Sequence, residues 1–190
     1  MEYLYHGSIT EGITELEACS KSHDSEDNIV YLTGSIPYAL FYIWDETHNH
    51  TPVKHVTGWV KNGIAFYEEQ FPDQLKTFYK GVSGYLYYIP KNSDFSMAKE
   101  RDHMYSSTKN VKIGHVVFVP DVYEELLKYE ALGELKILRY NEQSEKRQQE
   151  LIDMIRDFIL QSNFFHDQPV QSEFMKRYFT KSWEKATQNK

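Results

Sequence analysis

The sequence predicts an α+β fold, on three observations. Short runs such as residues 84–89 and 111–119 are rich in Tyr, Val and Ile, the aromatic and β-branched composition that suits a pleated, half-buried surface. Lys61-Asn62-Gly63 joins two apolar runs, and Asn-Gly tolerates the positive φ angles of a tight hairpin turn. Late in the chain, Leu151, Ile152, Ile155, Phe158 and Ile159 recur at helical spacing with charges opposite. Hairpins first and long helices last is an α+β order.

Taken in order, residues 3–8 read as a strand. Residues 9–19 mix apolar and acidic positions and read as a short helix or an irregular connection; 21–28 is polar loop. Ile29–Thr33 is a second strand. Ser35 suits the cap of a helix from Ile36 to about Asp45, with Pro37 tolerated in its first turn. On that helix Tyr38 and Tyr42 share a face, while Ile36, Leu40 and Ile43 form the core stripe. Residues 53–60 and 64–69 are the hairpin arms. Phe71–Tyr79 is a short helix closed by Gly81, and Gly84–Ile89 is an aromatic strand ended by Pro90. Within the polar stretch 91–110, Met104-Tyr105-Ser106 has strand character, and Val111–Val119 follows as a valine-rich strand. Asp121 caps the next helix with Glu124 at the capping-box position, Gly133 ends it, and Leu135–Tyr140 is the last strand. Ser144–Asn163 and Ser172–Ala186 are amphipathic helices. A boundary near Asn141–Ser144 therefore sets a core at 1–140 apart from two helices at 141–190. Those helices bury too little to fold alone, so they are expected to dock on the core as one compact unit.

The chain has 190 residues, 15 Tyr and 11 Phe, enough for one domain with a real core and unlike a disordered chain. Its net charge of −7 argues against general attraction to nucleic acid or anionic lipid. The one cysteine, Cys19, has no partner for an internal disulfide, and the start Met1-Glu2-Tyr3 is unlike a signal peptide. With no long apolar run either, a cytoplasmic location without a membrane partner is expected. There is no metal-ligand spacing; His48, His50 and His55 read as a polar loop. Gly-x-Gly-x-x-Gly, a Walker loop and a Ser or Cys nucleophile motif are all missing. Glu68 and Glu69 face opposite sides of a strand, and the basic run from Lys176 to Lys185 reads as the wet face of the last helix.

Chemistry gathers near the start. Leu4-Tyr5-His6-Gly7-Ser8 sets an imidazole, a bare backbone and a hydroxyl at one strand edge, and glycine lets a planar ligand approach its peptide groups. Tyr31 and Tyr42, eleven residues apart, offer ring faces for stacking. Each has a plain alternative: His6 as a hydrogen-bonded loop residue, and the tyrosines as core packing in a tyrosine-rich chain.

Together these residues resemble the start of the ADP-ribosyltransferase-like superfamily, of the poly(ADP-ribose) polymerase and diphtheria-toxin type. The resemblance covers residues 3–42 and, more thinly, 102–119. It implies split antiparallel sheets around an NAD cleft, here with a C-terminal helical extension. The implied activity is that of a transferase moving ADP-ribose from NAD, its substrate, to an acceptor. By the same resemblance His6 bonds a ribose hydroxyl, the Gly7 backbone pairs with the nicotinamide carboxamide, and Ser8 adds a hydroxyl contact. Tyr42 stacks on the nicotinamide and Tyr31 lines the other side of the pocket. The family's glutamate falls on Asp102, counting back from Val111, or on Glu100 if the register differs by two on the same strand face. That carboxylate steadies the oxocarbenium-like charge as nicotinamide leaves. Asp102 is one methylene shorter than glutamate, and Lys99-Glu100-Arg101-Asp102 also reads as a solvated charged loop. Ala39 stands where many members carry a hydroxyl residue that bonds the carboxamide. Three alternatives stay open. One is a non-catalytic member that binds a nucleotide or a protein. Another is an RNA 2′-phosphotransferase-like enzyme, which needs arginines where this chain has none before Arg101. The third is a ligand-free interaction protein with buried tyrosines.

Overall fold

The computed structural model describes residues 2–21, 27–48, 54–98, 101–162 and 168–188. Antiparallel sheets and six helices among the described residues make the chain α+β, as its composition and periodicity predict. It divides into two units. One comprises Met1–Trp44, Gly58–Tyr67 and Tyr79–Lys136; the other comprises Asp45–Thr57, Glu68–Phe78 and Ile137–Lys190. The C-terminal helices thus share a unit with two segments from the first half of the chain.

The first unit is built on a sheet of β1 (Tyr3–Ser8), β4 (Asn28–Thr33), β7 (Gly84–Pro90), β8 (Ser96–Met97), β9 (Met104–Ser107) and β11 (His115–Val119). Their order is β11-β7-β1-β4-β9-β8, with β3 (Ser20–Lys21) added against β4. On one face Leu4, Leu32, Tyr87 and Ile89 alternate with residues turned the other way, as a pleat requires, and pack with Leu16, Val30 and Val111. Leu16 comes from β2 (Glu15–Leu16), which pairs with β10 (Val111–Lys112). Residues 9–19 therefore contain a short strand and no helix. The valine-rich run 111–119 is not one strand but two, parted at Ile113-Gly114.

The Asn-Gly hairpin forms as predicted. β5 (Gly58–Lys61) and β6 (Ile64–Glu68) pair across a turn in which Asn62 has φ 52° and Gly63 φ 77°. Helix α1 (Ile36–Leu40) starts where predicted: Ser35 Oγ accepts from the Tyr38 N–H and Pro37 sits in the first turn. It stops five residues early. The Tyr42 and Ile43 N–H groups bond back to Ala39 and Leu40, and the Phe41 carbonyl accepts instead from the buried Tyr79 hydroxyl at 2.9 Å. Phe41, Ile43 and Trp44 are all buried. Helix α3 (Val122–Ala131), which follows the short α2 (Gln74–Tyr79) in the chain, is capped by Asp121, whose second oxygen accepts from the Gly81 N–H. β12 spans Leu135–Leu138, and the Ala65 N–H donates to the Glu134 carbonyl beside it.

The second unit holds most of α2 (Gln74–Tyr79) and α4 (Glu145–Gln161), α5 (Pro169–Tyr178) and α6 (Thr180–Thr187). The predicted final helix is two helices that meet at Phe179, itself buried. Phe71, Phe78, Phe174, Tyr178 and Phe179 contact one another ring to ring at 5.2–6.1 Å. Glu69 is buried yet satisfied: its two oxygens accept from the Leu75 and Tyr140 N–H groups, each at 3.1 Å. Arg147 grips Glu68 through two parallel bonds of 2.9 and 2.8 Å.

Candidate functional site

The residues singled out at the start of the chain lie where the central sheet begins to open. The Lys91 N–H donates to the Glu2 carbonyl, and this fixes the alternation of the β1–β7 ladder. Even-numbered residues of β1 bond toward β7, so Tyr5 and Gly7 turn their peptide groups toward β4. On that side the pairing is Tyr5↔Thr33 and does not run on to Gly7 and Tyr31. The Tyr31 carbonyl, which a longer ladder would present to Gly7, lies 3.4 Å from His6 Nδ1. Pleat alternation sets Tyr31 on the same face as Gly7 and His6 on the other. The imidazole therefore reaches the opening from one face of the sheet and the tyrosine ring from the opposite one.

Helix α1 lies directly on Gly7. A Cβ there would stand 2.1 Å from the Ala39 carbonyl oxygen and 3.0 Å from Ile43 Cγ1. Close packing by itself thus accounts for the glycine, while leaving its peptide groups aimed at the opening. Ser8 Oγ accepts from the Thr10 N–H at 3.1 Å and closes a turn.

Tyr42 follows α1 and remains 36% exposed. Its hydroxyl lies 3.2 Å from that of Tyr38, their rings tilted with centroids 5.6 Å apart. Burial raises its pKa, as do the charge and hydrogen bond of Tyr38; Arg101 pulls it down and Tyr31 adds a smaller rise. Tyr31, Tyr38, Tyr42 and Arg101 therefore share one local field. The Tyr31 hydroxyl also donates to the Lys21 carbonyl at 3.1 Å. Tyr38, read from the sequence only as sharing a helix face with Tyr42, and Arg101, read only as part of a charged run, are the members not among the candidate site residues. The four-residue spacing of Tyr38 and Tyr42 was the available signal for one. Arg101 was hidden in a charged run.

Asp102 stands in the turn before β9, its carboxylate 3.7 Å from His103 Nε2 and about half exposed. His103, with φ 58°, packs on Gly34 at the start of α1, and its carbonyl accepts from the Gly34 N–H. Asp102 is thus one residue from the His103–Gly34 contact that precedes α1, and Tyr42 lies just past the helix's last turn. Glu100, the other candidate acid, lies outside the described residues, as does His50. His55 is not in an open loop: Nε2 lies 2.7 Å from Gln70 Oε1, and the ring packs on Phe174 and Phe179.

Among the described residues no cluster of three or more His, Cys, Asp or Glu is placed to hold a metal ion, and no helix is long and apolar enough to cross a membrane. The second unit carries an open groove of about 800 Å³ beside Glu46, Val170, Phe174 and Arg177, which contains none of the singled-out residues. No family model, no curated protein and no solved structure matches the chain.

Proposed function

We propose that this protein is an ADP-ribosyltransferase-like protein of the split-sheet kind that binds NAD at the opening between β1 and β4 and cleaves it at the nicotinamide–ribose bond, in the cytoplasm. The observation that carries this reading is the turning of the Gly7 peptide groups toward β4 where the ladder stops, next to Tyr31 and under a helix, Ile36–Leu40, that Tyr42 follows. A carboxamide has one donor and one acceptor edge, which suits a strand's free N–H and C=O. Tyr42 supplies a ring for the cationic nicotinamide, an attraction of up to about 2 kcal/mol when desolvated. Arg101 would repel that cation but suits the anionic diphosphate.

In the reaction the C1′–N bond breaks, its electron pair leaves with nicotinamide, and the acceptor's lone pair bonds C1′ as its proton is released. Asp102 or Glu100 would steady the positive ribose during that exchange. Calorimetric titration with NAD tests binding, and nicotinamide release tests cleavage. Tyr42→Ala is expected to abolish binding in a folded protein. Asp102→Asn should stop release while leaving binding in place; if Glu100 is the acid, Glu100→Gln does so instead. A wild-type protein with no binding at millimolar NAD would end the proposal.

The binding-only reading has its own support. Asp102 faces His103 at 3.7 Å, and Ala39 lacks the hydroxyl that would hold the carboxamide. It expects NAD binding without release, and no effect of either acid variant.

A further inference from the structure

The edge of the central sheet offers a second site, unconnected with the NAD reading. Among the described residues β11 is the end strand of the sheet order, with β7 on one side only. The Gly114 N–H donates to the Tyr88 carbonyl, so the even-numbered residues of β7 bond toward β11, and their partners His115, Val117 and Val119 point back at β7. Val116 and Phe118 therefore turn their N–H and C=O groups outward. Their side chains are exposed too: Val116 48%, Val117 42% and Phe118 54%.

Edge strands in soluble proteins are normally guarded by charge, proline or a bulge within the strand. Here Gly114 and His115 both lie opposite Tyr88, which is a bulge, but it sits at the start of the strand and leaves Val116-Val117-Phe118 in regular register with β7. Between His115 and Val119 there is no charge and no proline. The flanks differ in sign, with Lys112 before the strand and Asp121 and Glu124 after it.

We infer that β11 pairs with β11 of a second copy of this chain, antiparallel about a two-fold axis at Val117. That register matches Val116 with Phe118 of the other copy twice over, so every outward N–H and C=O of the two residues finds a partner. It also carries the Lys112 end of each copy to the Asp121 end of the other, whereas parallel docking would set like charges together. The sheets then join across the seam, and Val116, Val117 and Phe118 leave water. The contact is small for a stable dimer, so association in the micromolar range is expected.

Sedimentation velocity of the full chain, from low micromolar to several hundred micromolar, should show a reversible monomer–dimer equilibrium. Val117→Lys sets two like charges face to face on the axis and should leave a monomer throughout. A thermal melt of this variant at low concentration, unchanged from wild type, separates that result from misfolding. In a Cys19→Ser background, Val117→Cys should cross-link to a covalent dimer on mild oxidation. The two Val117 positions form a non-hydrogen-bonded pair, with Cα atoms about 4.5 Å apart, within disulfide reach. A wild-type chain that stays monomeric at all concentrations overturns the inference. So does a dimer that Val117→Lys leaves intact, or a Val117→Cys protein that does not cross-link.

Discussion

Replacing Gly7 by alanine tests the packing of α1 on β1 without any ligand. The added methyl would stand 2.1 Å from the Ala39 carbonyl oxygen, against roughly 3.3–3.6 Å for an ordinary carbon–oxygen contact. The overlap exceeds 1 Å on either figure, and the obstacle is helix backbone rather than a side chain with other rotamers. Relief requires α1 to shift from the sheet together with Ala39, Leu40 and Ile43, all at most 1% exposed. Overpacking a core costs about 1–3 kcal/mol, and a clash with backbone belongs at the upper end, about 3 kcal/mol. For a chain of this length that is a fall of roughly 6–12 °C in melting temperature. Thermal unfolding followed by circular dichroism, with urea titration to check that the slope is unchanged, measures it. A Gly7→Ala protein melting within about 2 °C of wild type would show that α1 does not press on β1 as described.

Two further outcomes concern the second unit. Burial against Phe174 and Phe179 pushes the His55 pKa below its usual 6.5, outweighing the hydrogen bond to Gln70, which raises it. The unfolded chain then binds the proton more readily, so His55 contributes stability that is present above the unfolded pKa and lost as pH falls through the folded one. The melting temperature should drop between about pH 7 and 5, and His55→Gln should flatten that part of the profile; an identical slope in the variant refutes the assignment. Glu69→Gln leaves one acceptor where two backbone N–H groups converge and sets an amide N–H₂ against the other donor, at a cost of about 2 kcal/mol at neutral pH. Burial raises the Glu69 pKa, so its own pH trend has the opposite sign, with stability falling as pH rises from 4.5 through the folded pKa. Equal urea midpoints for Glu69→Gln and wild type at neutral pH would count against the buried double acceptor.

The features legible from residue order are those that short-range chemistry controls. Ser35, Asp121 and Ser144 cap helices because a side-chain oxygen can reach an N–H three residues on. Asn62-Gly63 turns the hairpin because those residues tolerate positive φ. The candidate residues His6, Gly7, Tyr31 and Tyr42 were legible as types at suitable positions, and Tyr38 through its helical spacing. Tertiary structure alone decided the rest. Residues 15–16 become a strand because Val111, distant in the chain, offers Leu16 a ladder and a core position. Helix α1 ends early because a tertiary hydrogen bond from Tyr79 replaces the one that would have continued it. Whether Gly7 faces a paired strand or an opening depended on how far β1 and β4 stay in register, and that is set by what packs on the sheet. No local propensity encodes it, because a backbone N–H is the same group whether its partner is a strand, a side chain or a ligand.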